Sequence, residues 1–206
     1  MPIKAEYREK AQLAVSLIGG DKISSTGGNF SLGICGTYNG VAAFFTCGHG
    51  INKVGDAVNS SSGLKIGETV VRQYTNGSYY DYAIVKITDT ANFSTTNKVY
   101  GSGGATVSIT GVSTYPVEGT TVYKYGYSGL YGYGGVSSTE TSVSYSGTVI
   151  WGLTKANLTS GSVVAGDSGG PCYFSNKISG VVSGSAGSTN LYFSPMLTGS
   201  FQAKTS

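Results

Sequence analysis

Charge is scarce in this chain. Of 206 residues only 11% are Asp, Glu, Lys or Arg, and the formal net charge is +3. The lysines are scattered, so no basic stripe offers itself to a nucleic acid. Histidine is scarcer still, with His49 the single one. Three cysteines, Cys35, Cys47 and Cys172, stand far apart. That spacing with one histidine is not a metal-ligand pattern, and neither a metal nor any other cofactor is expected. An odd cysteine count permits at most one intramolecular disulfide and leaves at least one thiol. No apolar run approaches the roughly 20 residues that cross a membrane. Residues 1–16 lack the apolar core of a signal peptide, yet low charge with abundant Ser, Thr, Asn and Gly favours a secreted, extracellular origin.

What the chain does contain is glycine, 33 residues of it, with 39% hydrophobic and 12% aromatic residues. That is enough to fill a core, and it is the composition of an all-β protein with many glycine turns. Residues 1–16 differ in texture: Ala5 to Val15 reads as a short helix of good helix formers. The segment is either a terminal extension or the remnant of an activation segment. From Leu17 onward apolar runs of strand length alternate with turn signals. Asn39-Gly40 marks a two-residue hairpin, and Val41 to Phe45 leads into Thr46-Cys47-Gly48-His49-Gly50. Glu68 to Tyr74 and Tyr79 to Val85 read as strands, the second with Asp81 at its mouth. Residues 101–119 are rich in glycine and join two β-rich halves of about equal size, which suggests two packed barrels. Residues 17–110 are assigned to the first and 111–206 to the second. In the second, Thr120 to Tyr125, Val136 to Ser138, Ser142 to Trp151, Tyr173 to Phe174 and Ile178 to Ser183 read as strands. Ser194-Pro195 resembles a helix start and predicts a short C-terminal helix. The tyrosine-glycine run Val122 to Gly134 reads as strands with tyrosines against partner strands, with an aromatic platform for sugars as the alternative.

One turn stands out, Gly166-Asp167-Ser168-Gly169-Gly170-Pro171. Its glycines let the backbone expose a serine hydroxyl and converge N–H groups beside it. Activating that hydroxyl near neutral pH calls for an imidazole base, and His49 is the one available. An imidazole base is oriented by a buried carboxylate; Asp81, ahead of the apolar run Ala83-Ile84-Val85, is the best candidate. In an α/β-hydrolase the histidine follows the serine, and no histidine follows Ser168. The order His49, Asp81, Ser168 is that of the chymotrypsin type.

With these motifs the chain resembles the chymotrypsin-fold serine proteases, in their bacterial branch of streptogrisins and α-lytic protease. Thr46-Cys47-Gly48-His49, Asp81-Tyr82-Ala83-Ile84 and Gly166 to Pro171 carry the resemblance, which covers about Leu17 to Met196. It implies two packed six-stranded antiparallel barrels with the site between them, and a serine endopeptidase acting through an acyl-enzyme. By the same resemblance the N–H groups of Gly166 and Ser168 form the oxyanion hole, and Ser183 supports Asp81. Lys124 takes the place of an arginine that neutralises Asp167, so a Lys124–Asp167 pair is expected. The family's disulfide around the histidine would join positions 30 and 50, here Phe30 and Gly50, so it is absent. Cys47 and Cys172 are expected behind the site, as packed thiols rather than a new disulfide. The pocket walls, Val164, Ala165, Val182, Ser183, Gly184 and Ser185, carry no acid, which predicts cleavage after an uncharged apolar residue. Expected partners are peptide or protein substrates and protein inhibitors, for a monomer that binds neither nucleic acid nor membrane. The alternative is a catalytically silent or latent peptide-binding protein on the same fold.

Overall fold

The computed structural model describes residues 13–197 and 199–206. Nineteen strands follow one another along them. In the first half they are β1 (Val15–Gly19), β2 (Lys22–Ser25), β3 (Gly28–Ser31), β4 (Ile34–Tyr38), β5 (Val41–Thr46), β6 (Ala57–Ser60), β7 (Lys65–Gln73), β8 (Ser78–Tyr79), β9 (Tyr82–Ile87) and β10 (Phe93–Tyr100). The connection carries a 3-10 turn, Ser102–Gly104, then β11 (Thr106–Ser108) and β12 (Gly111–Val112). The rest are β13 (Thr121–Tyr125), β14 (Tyr131–Tyr145), β15 (Thr148–Ser160), β16 (Pro171–Phe174), β17 (Lys177–Ser185), β18 (Asn190–Pro195) and β19 (Phe201–Ala203). The helix expected over Ala5 to Val15 falls mostly outside the described residues, and Val15 opens a strand.

One sheet runs β19-β4-β5-β9-β7-β6-β2-β3, and a small one runs β1-β10-β11. In the second half β17, β16, β13, β14, β15 and β18 form a closed ring of antiparallel strands, because β18 pairs with both β15 and β17. The fold is therefore all-β and of the two-barrel kind that the resemblance implies.

Side-chain parity explains why strands at the join read as unbroken apolar runs. Successive residues face opposite sides of a strand. On β5 Phe44 faces the first barrel's core, with Phe30, Leu32 and Val85, while Phe45 faces a second cluster with Ile34, Ile84, Val181 and Phe201. That second cluster draws on both halves and joins them. A third, with Val122, Ala156, Cys172, Val182 and Phe193, fills the second barrel. Both faces of β5 are thus covered, and alternation with polar residues disappears.

Among the described residues the expected C-terminal helix is not seen. Ser194 and Pro195 end β18, whose residues Leu191 to Pro195 are all buried. A helix there would turn part of this run to solvent, whereas the strand buries it between β15 and β17. Pro195 is tolerated because pairing with β15 ends at Phe193, so β17 alone flanks it and the strand is an edge there. The chain then crosses back, and β19 pairs with β4, so the tail is hydrogen-bonded to the sheet that leads to His49. A second difference lies in β14 and β15. The run Ser142 to Trp151 is not one strand but reverses at Ser146-Gly147, where both residues have positive φ (49° and 88°).

Candidate active site

His49 sits on the corner after β5. Gly48 is required there, because a Cβ would lie 2.5 Å from the Gln73 carbonyl oxygen and 2.8 Å from that of Tyr82. This tight corner presents two backbone N–H groups to Asp81: Gly48 N donates to Oδ1 at 2.7 Å and His49 N at 3.0 Å. The other carboxylate oxygen, Oδ2, lies 2.7 Å from His49 Nδ1 and accepts from Ser183 Oγ at 2.7 Å. Asp81 N donates to Ser194 Oγ at 2.8 Å. Asp81 is fully buried, and both of its oxygens are satisfied. Burial pushes its pKa up, but the His49 charge and these hydrogen bonds outweigh it and hold the carboxyl below its ordinary value. For His49 burial opposes protonation; Cys47 and the Asp81 carboxylate outweigh it and raise the imidazole well above the usual 6.5.

The corner is held without a disulfide. A Cβ on Gly50 would lie 2.7 Å from the Phe30 ring, so positions 30 and 50 pack an aromatic face on a glycine. On the other side Arg72 donates to the carbonyls of Gly48 (3.1 Å), Ile51 (2.5 Å) and Tyr74 (2.9 Å). All three cysteines are buried free thiols.

Ser168 stands in the turn between β15 and β16. Asp167, Gly169 and Gly170 donate their N–H groups to Val164, Val182 and Asp167 carbonyls. Among the described residues, the N–H groups of Gly166 and Ser168 have no acceptor. Gly166 has φ of 98°, and a Cβ there would lie 2.5 Å from the Tyr127 ring. Asp167 is fully buried with Lys124, whose Nζ lies 2.5 Å from Oδ2 and also donates to the Leu130 carbonyl at 3.1 Å. Ser128 Oγ and Val164 N donate to the same carboxylate.

A buried serine of the first half buckles this turn to the histidine's sheet. Ser31 N donates to the Ser168 carbonyl at 2.7 Å, and Ser31 Oγ donates to the Gly166 carbonyl at 2.7 Å. Ser31 Oγ accepts from Tyr127 N, and Thr46 Oγ1 donates to the Ser31 carbonyl.

His49 and Ser168 open onto one cleft of about 320 Å³. Among the described residues no hydrogen bond joins their side chains; such bonds commonly tighten only when substrate is present. Val164, Ala165, Ser183, Gly184 and Ser185 line the cleft. Apart from His49 no titratable residue but tyrosine lines it. Val182 does not join the wall: it faces the barrel core, fully buried, because parity turns it away from the side its neighbours present. Reading the sequence missed Tyr74, Tyr145 and Val163, which complete the lining. It also missed Ser31 and Ser194. No local signal separates these two from the chain's many other serines; they are found through their cross-barrel bonds. The Tyr145 hydroxyl is buried beside Ser183, 2.9 Å from where a Gly184 Cβ would stand.

The trypsin family matches residues 31–198. No curated protein matches the chain. Among solved structures it is similar to protease A of Thermobifida fusca, at 25% identity over 88% of this chain and 92% of that one (TM-score 0.76). It is also similar to a Nocardiopsis protease, at 28% identity over 88% and 93% (TM-score 0.73). A third is a glutamic-acid-specific serine protease that uses a histidine triad in substrate binding, at 26% identity over 87% and 93% (TM-score 0.74). The match spans both halves of the fold and the turns that carry His49, Asp81 and Ser168, and the chain belongs to the trypsin family of serine proteases.

Proposed function

We propose that this serine protease hydrolyses peptide bonds through His49, Asp81 and Ser168. Ser168 Oγ attacks the scissile carbonyl while His49 Nε2 takes its proton. The tetrahedral oxyanion is received by the two uncommitted N–H groups of Gly166 and Ser168. Collapse expels the amine, which leaves with the proton from His49, and an acyl-enzyme remains on Ser168. Water then adds by the same path, giving up a proton to His49, and releases the acid as Ser168 recovers its hydrogen. Asp81 fixes the Nδ1–H tautomer and stabilises the imidazolium. The observation that carries this reading is the His49–Asp81 pair at 2.7 Å, opening onto the cleft that holds Ser168.

The cleft also supports a preference for an uncharged apolar residue before the scissile bond. Its walls are short and carry no formal charge beyond that of His49. The glutamic-acid-specific relative uses a histidine triad, whereas this chain has a single histidine, committed to Asp81. Secretion, peptide or protein substrates, protein inhibitors and a monomeric state belong to the same proposal.

The test is covalent labelling by a fluorophosphonate beside a peptide-library cleavage profile. Labelling and cleavage are expected in the wild type and lost in Ser168→Ala. Labelling without cleavage would point to a latent form, and no labelling to a silent binding protein. A profile dominated by Arg, Lys or Glu would overturn the specificity.

A further inference from the structure

A second cavity, larger than the cleft with Ser168, shares no lining residue with it. It holds about 640 Å³ between β13, β14 and β16 on one side and Ser102, Ala105 and Val107 of the connection on the other, at the edge of the cluster that joins the halves. Tyrosines build its floor, and the register explains how. Lys124 faces inward to Asp167, so Tyr123 beside it faces outward. Tyr123 pairs with Tyr133 on one side and Tyr173 on the other. The ring centroids stand 6.1 Å and 5.6 Å apart, and Tyr131 stacks on Tyr123 at 5.9 Å and 16°. Tyr123 and Tyr131 are half-buried and line the cavity with the buried Tyr173, so two of the three rings keep part of their surface open to it, and the exposed Tyr133 stands beside it, outside the lining.

The rim is polar and uncharged. Ser102, Thr120, Thr121, Ser175 and Asn176 stand around it, and no residue lining the cavity is a Lys, Arg, Asp or Glu. Among the described residues, none of those five side chains makes a hydrogen bond within the protein. Ser175 and Asn176 form the β16–β17 turn with positive φ, 43° and 59°, where glycine would be the easier residue. Both keep side chains there, at the groove's edge.

We propose that this groove is a binding site for a neutral saccharide chain. Aromatic faces accept the C–H-rich faces of sugar rings, and uncommitted hydroxyls and an amide meet the donors and acceptors that each ring carries. A phosphate-bearing or carboxylate-bearing ligand would find no counter-charge. A proline-rich peptide, which also docks in aromatic grooves, offers acceptors but almost no donors and would leave half of the rim's capacity unused. The site would hold the protease on a glycan-bearing substrate or matrix while the cleft stays free.

The test uses the full chain carrying Ser168→Ala, so that no proteolysis intervenes. Retention on cellulose, chitin and xylan and calorimetry with the corresponding hexaoses read binding. At least one hexaose should bind, and Tyr131→Ala should weaken it tenfold or more. In the Ser168 background, Tyr131→Ala should leave cleavage of a small chromogenic peptide unchanged. Thr121→Glu, at an exposed rim position, should weaken binding likewise without touching the core. No binding to any of the three polymers, binding indifferent to both substitutions, or Tyr131-dependent binding of a proline decapeptide in place of the hexaoses would overturn the proposal.

Discussion

At the scale of single residues, the environment of His49 sets a pH dependence. Burial opposes its protonation, yet the Asp81 carboxylate and Cys47 raise its pKa well above 6.5. Only the neutral imidazole can accept a proton, so kcat/KM should rise with pH through a midpoint above 6.5. Stability should move the other way. A group with a raised folded pKa contributes stability that is complete below its unfolded pKa and is lost as pH rises through the folded one. Asp81→Asn should lower the activity midpoint and reduce kcat by about 10⁴-fold, as loss of the orienting carboxylate does in related sites. A pH–rate profile of both proteins checks this. Gly166 is the second sensitive position. Gly166→Ala would set a Cβ against Tyr127 at a φ of 98°. Kinetics should show kcat reduced by about 10²–10³-fold, as when one oxyanion donor is misplaced. Denaturant unfolding should show a loss of about 1–2 kcal/mol, the cost of a left-handed residue.

At the scale of elements, the turn between β15 and β16 depends on a charge pair seated inside the second barrel. Lys124 and Asp167 are both fully buried. Lys124→Met would leave a buried carboxylate with only Ser128 and Val164 as donors. We expect a loss of about 3–5 kcal/mol in urea unfolding. Lys124→Met with Asp167→Asn should recover most of it, because no bare charge remains. Stability of the double variant no better than the single would show that the pair is not what holds the turn. Legibility varied among elements for physical reasons. Asn39-Gly40 takes positive φ at both residues (49° and 79°) and joins Tyr38 to Val41, as its composition predicts. Ser146-Gly147 makes the same kind of turn, but Ser-Gly is common in this chain and does not by itself mark a hairpin. Ser194-Pro195 carries a local helix signal that tertiary burial overrides, and Ser194 Oγ caps Asp81 N instead of a helix.

At the scale of the whole molecule, two barrels are joined by an apolar seam and a few cross-barrel hydrogen bonds, with no disulfide. The free, buried state of Cys35, Cys47 and Cys172 predicts three thiols titrated in the denatured, unreduced protein and none in the native one. A reductant should leave the melting temperature unchanged. Phe45, fully buried in the seam with Tyr82 and Phe201, carries more of the stability: Phe45→Ala should cost about 3–5 kcal/mol in denaturant unfolding. Sequence by itself determined the all-β character and the three proposed reacting residues. Composition, turn chemistry and the order of His49, Asp81 and Ser168 are local or one-dimensional properties. It also pointed to Lys124 for Asp167, through the family pattern. Ser183 too was indicated by the family pattern, and only the tertiary structure added Ser31 and Ser194 to the serines that serve the site. Ser31 reaches the turn of Ser168 across the barrel boundary, and Ser183 and Ser194 both meet Asp81. It likewise turned Val182 inward, brought Tyr74 and Tyr145 into the cleft, and gathered Tyr123, Tyr131 and Tyr173 from three strands into one floor. Those decisions depend on strand register and barrel closure, which bring together residues far apart in sequence.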